Sequence, residues 1–240
     1  MKKQLLYKNS AKYYDLIYSF KDYREEALKV KKLIGRFKKS SRNELLEVAC
    51  GTGKHLEHLK KEFKCVGVDI NDGMLKMARQ RLKNIDFRQA DMINMELGKQ
   101  FDIITCLFSS IGYVKTYENL QRTLKNFARH LRRGGVVIIE PWFTKKTYKV
   151  GAPHMTTYDA PDIKIARLNV SSADGNLSVM DMHYLVAEKG KGVIHFSDRH
   201  ELGMFEIDRT LELMKQEGLD SKYFKNGLMK ERGLLIGVKQ

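Results

Sequence analysis

Residues 45–55, Leu-Leu-Glu-Val-Ala-Cys-Gly-Thr-Gly-Lys-His, constrain the fold more than any other stretch. Leu45, Leu46, Val48 and Ala49 make a short apolar run, the pattern of a parallel strand buried on both faces. Gly51 and Gly53 break the run, and Leu56, Leu59 and Phe63 follow at helical spacing. Strand, glycine turn and helix are the layout of a nucleotide-binding crevice, because glycine lets the backbone approach a ligand and take dihedrals other residues avoid. Two familiar ligands are disfavoured. A dinucleotide fingerprint needs a third glycine where this chain has Leu56. A phosphate-cradling loop needs G-x-x-x-x-G-K-[ST], which is absent.

What stands here is an acid in the strand, Glu47, followed by Ala-Cys-Gly-Thr-Gly. This resembles motif I of the class I S-adenosylmethionine (SAM) methyltransferases. SAM has no phosphate and carries an ammonium, a carboxylate and a sulfonium, which suit a tight glycine turn with a carboxylate beside it. Two further acids fall in register. Lys64-Cys-Val-Gly-Val-Asp-Ile reads as a second buried strand ending on Asp69, about 20 residues beyond the turn, where a carboxylate accepts from both ribose hydroxyls. Asn71-Asp72-Gly-Met then caps a helix over 73–83. Phe87-Arg-Gln-Ala-Asp-Met ends a third strand, and the resemblance implies that Asp91 accepts from the adenine amine while Met92 packs on its ring. It further implies that Ala49, Ile70, Met74 and Leu107 line the cofactor.

Residues 11–39 read as two helices with a polar break. The first is dense in tyrosine. The second opens on Asp22-Tyr-Arg-Glu-Glu, acids that suit the positive end of a helix, and Ala27, Val30, Ile34 and Phe37 make its apolar face. The resemblance implies that this helix pair lids the crevice. Phe101 to Phe108 reads as the fourth strand, and its end, Ser109-Ser-Ile-Gly-Tyr113, opens where acceptor and methyl group meet. The [DN]-P-P-[FYW] tetrapeptide of enzymes that methylate adenine or glutamine amines is absent. A helix over 117–131, stopped by Gly134-Gly135, precedes a fifth strand ending in Glu140-Pro-Trp-Phe. From 144 to 205 the period changes to alternation, with turns at Asp174-Gly-Asn and Gly190-Lys-Gly, and predicts an inserted antiparallel sheet of three or four strands. A helix over 206–216 and a hairpin of two last strands close the chain. The expected fold class is therefore α/β: a Rossmann-like, seven-stranded class I methyltransferase sheet (44–143 and 206–240), an N-terminal helical lid (1–43) and a β-rich insertion after strand five (144–205).

A chain of 240 residues is one large domain or one domain carrying an insertion, and 42% hydrophobic residues suffice for its core. No apolar stretch reaches membrane-spanning length, and no hydrophobic region follows the basic start, so a cytoplasmic protein without a signal peptide is expected. Cys50, Cys65 and Cys106, each placed in a buried strand, lack C-x-x-C spacing and read as inert thiols. His55 and His58 are three apart on a helix, but no third ligand follows, so no metal is expected. The net charge of +15 suits an anionic partner, yet the lysines and arginines are scattered, with no arginine-rich tail, zinc finger or RNP motif. A Lys-rich solvated surface accounts for the charge slightly better than nucleic acid does.

Several stretches point more narrowly: Tyr14-Asp-Leu-Ile-Tyr18, His55-Leu-Glu-His58, Phe108-Ser-Ser-Ile-Gly-Tyr-Val-Lys-Thr116, Glu140-Pro-Trp142, Gly190-Lys-Gly-Val-Ile-His-Phe-Ser-Asp198 and Arg232-Gly-Leu-Leu-Ile-Gly-Val238. Together they resemble the nucleotide-sugar N,N-dimethyltransferases of desosamine-type pathways, over nearly the whole chain. The resemblance implies a dTDP-linked 3-amino-deoxyhexose, two successive methylations, and an amino sugar and pyrophosphate approached by Tyr14, Ser109, Tyr113 and Arg232. Trp142 belongs to the same acceptor site by the Glu-Pro-Trp match, and His195, on one strand face with Ser197 and Arg199 and opposite His200, is expected to face the ligand. Tyr14, Tyr113 or a water are the candidates to take the amine proton, and the sequence favours none of them. The partner expected is thus a small-molecule amine, phosphorylated or nucleotide-linked, with no membrane and with a homodimer entertained. Two rivals are an RNA or protein methyltransferase using the basic surface and a non-catalytic SAM-binding regulator.

Overall fold

The computed structural model describes residues 11–229 and 231–240. At its centre β1 (Glu44–Val48) lies between β2 (Lys64–Asp69) and β4 (Phe101–Cys106), parallel to both. Leu45, Leu46, Ile103 and Ile104 are 0% exposed, because helices cover both faces of these strands. The seven-stranded sheet has the order β10-β11-β5-β4-β1-β2-β3, with β3 Asp86–Gln89, β5 Leu131–Ile139, β10 Leu219–Phe224 and β11 Leu234–Lys239. β11 is antiparallel to β5 and to β10, which makes the closing hairpin. The strand order reverses between β1 and β4, and a crevice at the carboxyl ends of the strands opens there.

The two N-terminal helices part company. α1 (Ala11–Ile17) packs Tyr13 and Ile17 against Ile165, Tyr184 and Val186 of the inserted sheet. α2 (Tyr23–Phe37), capped by Asp22 accepting from the Glu25 N–H at 2.8 Å, buries Ala27, Val30 and Ile34 with Leu45, Leu56 and Val136. α1 brings Tyr14 to the crevice, and α2 reaches it through Tyr23 at its first position. α2 is a covering helix of the main sheet, together with α3 (Lys54–Leu59), α4 (Asp72–Arg81), α5 (Tyr117–His130) and α6 (Ile207–Gln216). Gly134-Gly135 does not stop α5, which ends at His130; β5 begins at Leu131 and carries both glycines. Gly134 has φ +76°, and its carbonyl accepts the Lys39 and Ser40 N–H groups, so the pair bends the strand rather than ending a helix.

After β5 the chain forms an antiparallel sheet of four strands in order β6-β7-β8-β9: Pro153–Ala160, Ile163–Asp174, Leu177–Glu188 and Gly192–Gly203. Its inner face carries Ile165, Tyr184, Val186, Asp198 and His200, all buried. Its outer face leaves Met155, Leu168, Val170, Leu185 and Val193 in solvent. All three cysteines are free and buried, Cys65 and Cys106 in strands but Cys50 in the glycine turn itself. Among the described residues no helix is long and apolar enough to cross a membrane.

Candidate active site

The turn after β1 holds three residues at positive φ: Ala49 (54°), Gly51 (56°) and Gly53 (77°). A Cβ on Gly51 would stand at ordinary van der Waals distance, 3.5 Å, from the Met74 methyl, so it is the left-handed dihedral that asks for glycine here. Asp69, at the end of β2, closes the turn: Oδ2 accepts from the Gly51 N–H at 2.9 Å and Oδ1 from the Asn71 N–H at 2.8 Å. Burial pushes this carboxyl up to about 6, against the pull of the two amides and with added repulsion from Glu47. Each oxygen retains a lone pair for a ribose hydroxyl. Asp91 accepts from the Ile93 N–H at 2.9 Å and so fixes the turn after β3, beside partly buried Met92. Met74 and Leu107 are 3% exposed; Ile70, 53% exposed, marks the outer rim.

Behind the turn lies a buried run of charge. Lys21 Nζ contacts Glu26 at 2.7 Å, Glu26 contacts His55 Nε2 at 2.8 Å, and His55 Nδ1 stands 3.3 Å from Glu47. Burial alone would lower the His55 pKa, but the bonds to Glu26 and Glu47 outweigh it and raise the imidazole to about 9. The His55 imidazolium thus sits between the side chains of Glu26 and Glu47. Nothing in the cluster satisfies Glu47 Oε2, which is buried without a hydrogen-bond partner in residues that line the crevice.

α1 is fastened to the same turn. Asp15 accepts from the Thr52 hydroxyl at 2.6 Å and pairs with Arg81, whose guanidinium also donates to the Thr52 carbonyl at 2.5 Å. This brings Tyr14 over the crevice mouth. Burial, then neighbouring Tyr18, Tyr23 and Tyr113, raise the Tyr14 phenol well above its ordinary value, so it remains a neutral donor.

The acceptor end is built at the tips of β4 and β5. Phe108 and Ser109 take φ of 52° and 59°, left-handed values that cost non-glycine residues energy. Glu140 holds them: its Oε2 accepts from the Phe108 N–H at 2.7 Å, while Ser109 Oγ donates to the Pro141 carbonyl at 2.8 Å. Arg232 donates to Ser109 Oγ at 3.2 Å and lies among the rings of Trp142, Phe143 and Phe108, at 4.7, 5.1 and 5.9 Å. Burial lowers the Arg232 pKa, opposed chiefly by the nearby charge of Glu140. The Trp142 indole N–H donates to Ser178 Oγ of the inserted sheet at 2.7 Å, which ties that sheet to the crevice. Tyr113, in a 3-10 turn over Ser110–Val114, lies 2.7 Å from His200 Nδ1.

Residues 45–135 match the family described as a methyltransferase domain. Over 94% of its length the chain is 39% identical to the dTDP-3-amino-3,4,6-trideoxy-alpha-D-glucopyranose N,N-dimethyltransferase of Streptomyces venezuelae, of which it covers 95%. The crystal structure of Streptomyces venezuelae DesVI superposes with a TM-score of 0.91 at 38% identity, over 97% of this chain and 99% of that one. The chain belongs to the SAM-dependent sugar N,N-dimethyltransferases. A SAM-bound relative, the amino pentose methyltransferase CalS10 from Micromonospora echinaspora, has a TM-score of 0.83 at 28% identity, with 92% of each chain covered.

SAM fits what this methyltransferase offers. The unpartnered Glu47 oxygen meets the chemistry of an ammonium, the open glycine turn leaves room for a ligand backbone, and Asp69 and Asp91 stand at successive strand ends. When bound, SAM supplies an electrophilic methyl on a sulfonium.

Of the acceptor residues expected from sequence, Ser109, Trp142 and Arg232 come together. His195 does not join them. It lies exposed on the outer face of the inserted sheet, stacked on His183 with ring centroids 5.5 Å apart. The physical reason is strand parity: β9 turns Phe196, Asp198, His200 and Leu202 inward, so the inward histidine is His200. Sequence reasoning also missed Lys21, Glu26, Phe143 and the roles of Asp15 and Glu140. Asp15 and Glu140 stood inside matched stretches, but Lys21 in its polar break gave no signal. Among the described residues no group of three or more His, Cys, Asp or Glu is placed to hold a metal ion.

Proposed function

We propose that this methyltransferase transfers two methyl groups in succession to the amine of a nucleotide-linked amino sugar in the cytoplasm. The observation that carries the reading is the half-buried Arg232, set among the rings of Phe108, Trp142 and Phe143 at the tips of β4 and β5. Among the described residues the guanidinium donates to one serine hydroxyl at 3.2 Å and a methionine sulfur, an arrangement that suits a bidentate partner such as a pyrophosphate. Ser109, beside it, offers a hydroxyl to a sugar edge. The inserted sheet, anchored through Trp142 and α1, walls the mouth against a long polymer, which speaks against RNA as acceptor despite the basic surface.

On this reading Glu47, Ala49, Gly51, Gly53, Asp69, Ile70, Met74, Asp91, Met92 and Leu107 hold SAM. Tyr14 and Tyr113 orient the amine. Methyl transfer needs an amine lone pair aligned with the methyl carbon in a site cleared of water, and such positioning is worth several kcal/mol. The test offers labelled SAM with nucleotide amino sugars, free amino sugars, peptides and total RNA. Labelling of the nucleotide amino sugars is expected, and Arg232→Ala should raise their KM by about 30-fold or more, an unpaired charge-assisted bond, with SAM affinity unchanged. Labelling of RNA at physiological salt, with none of any small amine, would overturn the reading.

A further inference from the structure

Tyr113, His200 and Asp198 stand in line. The Tyr113 hydroxyl is 2.7 Å from His200 Nδ1, and His200 Nε2 is 3.4 Å from Asp198. The side chains of His200 and Asp198 are 4% and 3% exposed, two residues apart on the inner face of β9, so both project into the protein from one strand. Tyr113 is half-buried in the 3-10 turn that follows β4, at the strand ends where the crevice opens. We propose that His200, with the Asp198 carboxylate beside it, is the proton acceptor behind Tyr113 and draws the proton of the substrate ammonium out of the crevice.

The proposal rests on the amine reading of the acceptor. An amino sugar arrives as an ammonium, which has no lone pair, and the product of a first methylation is again a cation. Each round must therefore shed a proton. Tyr14, held neutral by burial, is unsuited to keep one. In the relay the ammonium N–H bond breaks, and its proton goes to the Tyr113 oxygen as the phenol's own proton moves to His200 Nδ1. The nitrogen is left with its lone pair, the phenol is unchanged and the imidazole becomes a cation. The Asp198 carboxylate, 3.4 Å from Nε2, is close enough to offset the charge that the imidazole gains. Opposite the two residues β8 places Met180 and Met182, which offer no competing charge. The 3-10 turn contributes Tyr113, and the residue after it, Lys115, is engaged with Glu201 at 2.6 Å, on the other side of β9 from His200. Tyr184, inward on β8, bears on Asp198.

The test measures kcat against pH for the wild type, Tyr113→Phe, His200→Gln and Asp198→Asn, using the amino sugar that the wild type methylates, with SAM affinity measured by calorimetry alongside. General-base effects are typically of order 10²-fold. Tyr113→Phe and His200→Gln should each lower kcat by about that factor, and the double variant should fall no further. His200→Gln should lose the acidic limb of the profile, Asp198→Asn should displace it, and SAM affinity should stay within about twofold. His183→Gln, on the exposed face, should retain the wild-type profile. If His200→Gln does not fold, Tyr113→Phe removes one oxygen from the same chain and its profile decides. Profiles parallel to the wild type, or additive losses in the double variant, would overturn the relay while leaving the amine reading standing. A wild type that methylates no amine would remove that reading and the relay with it.

Discussion

The seven-stranded sheet buries its central strands on both faces, whereas the four-stranded sheet keeps one face in water. In the first, Leu45, Leu46, Ile103, Ile104, Val136 and Val137 are all 0% exposed, and the charges that do enter are buried beside one another, as in Lys21, Glu26, His55 and Glu47, with one Glu47 oxygen left for a ligand. In the second, inward Tyr184 and Val186 alternate with outward His183 and Leu185, and the ion pairs of its outer face and edges are exposed, as in Lys164–Asp159 at 59% and 75%. The first sheet therefore sets precise strand ends around the cofactor. The second, pinned by Trp142 and α1, supplies walls and polar side chains to an acceptor. Rigidity and adaptability are assigned to different sheets, and the crevice lies where they meet.

The comparison is sharpened most by removing one charge from each region. Lys21→Met would leave Glu26 and Glu47 buried with His55 as their sole cation. Breaking a buried pair by deleting one partner costs about 3–5 kcal/mol, because the remaining charge stays desolvated. Lys164→Met, between exposed partners, should cost less than about 0.5 kcal/mol. Denaturant unfolding of both variants measures the two values. Lys21→Met/Glu26→Gln should recover part of the larger loss, since it removes both charges. Equal losses at the two sites would show that the buried run is solvated and that the contrast between the sheets is not electrostatic.

A medium effect is expected at the strand end nearest the cofactor. Asp69→Ala should weaken SAM by about 1–3 kcal/mol, the usual cost of unpairing buried polar groups. The pH dependence follows from the direction of the shift. On the proposed reading ribose hydroxyls donate to the ionised carboxylate, whose pKa in the free protein is pushed up to about 6 by burial. SAM affinity should therefore be level well above pH 6 and fall below it, by at most tenfold per unit, as the carboxylate takes up a proton. Titration calorimetry from pH 5 to 8 checks this, and Asp69→Asn should flatten the dependence. A pH-independent affinity in the wild type would remove Asp69 from the ribose.

How far the sequence could be read follows the same division. Glu47, the two glycines and Asp69 lie within one strand-turn-helix-strand unit, where spacing along the chain dictates spacing in space, so their placement was legible. The insertion was legible as alternation but not as orientation. Lys21 was invisible because it meets Glu26 of α2 and the Phe108 ring beyond β4, and nothing in a polar break between helices says that the break is buried. Ser109 and Arg232 are 123 residues apart and meet only because β11 lies beside β5, itself beside β4, a pairing that no local pattern specifies. The helix pair was expected to act as one lid, but apolar periodicity shows that a helix has a buried face without saying against which sheet. α1 found the insertion and α2 the main sheet.

The smallest expected effect is the most direct check on that orientation. Parity along β9 makes His195 and His200 face opposite ways, and sequence alone does not say which way is inward. Tyr184 and Val186 settle it, because they bury themselves against Tyr13 and Ile17 of α1 and carry Phe196, Asp198 and His200 inward with them on the neighbouring strand. His195, opposite Leu185, is left outside, where its Nε2 lies 3.3 Å from His183 Nδ1. Exposed substitutions away from a site usually change free energies by no more than about 0.5 kcal/mol, roughly a factor of two. His195→Ala should accordingly leave acceptor KM, kcat and SAM affinity within about twofold of the wild type. A tenfold rise in acceptor KM from His195→Ala would mean that the outer face of the inserted sheet reaches an acceptor after all. The assignment of walls to one face and solvent to the other would then have to be reversed.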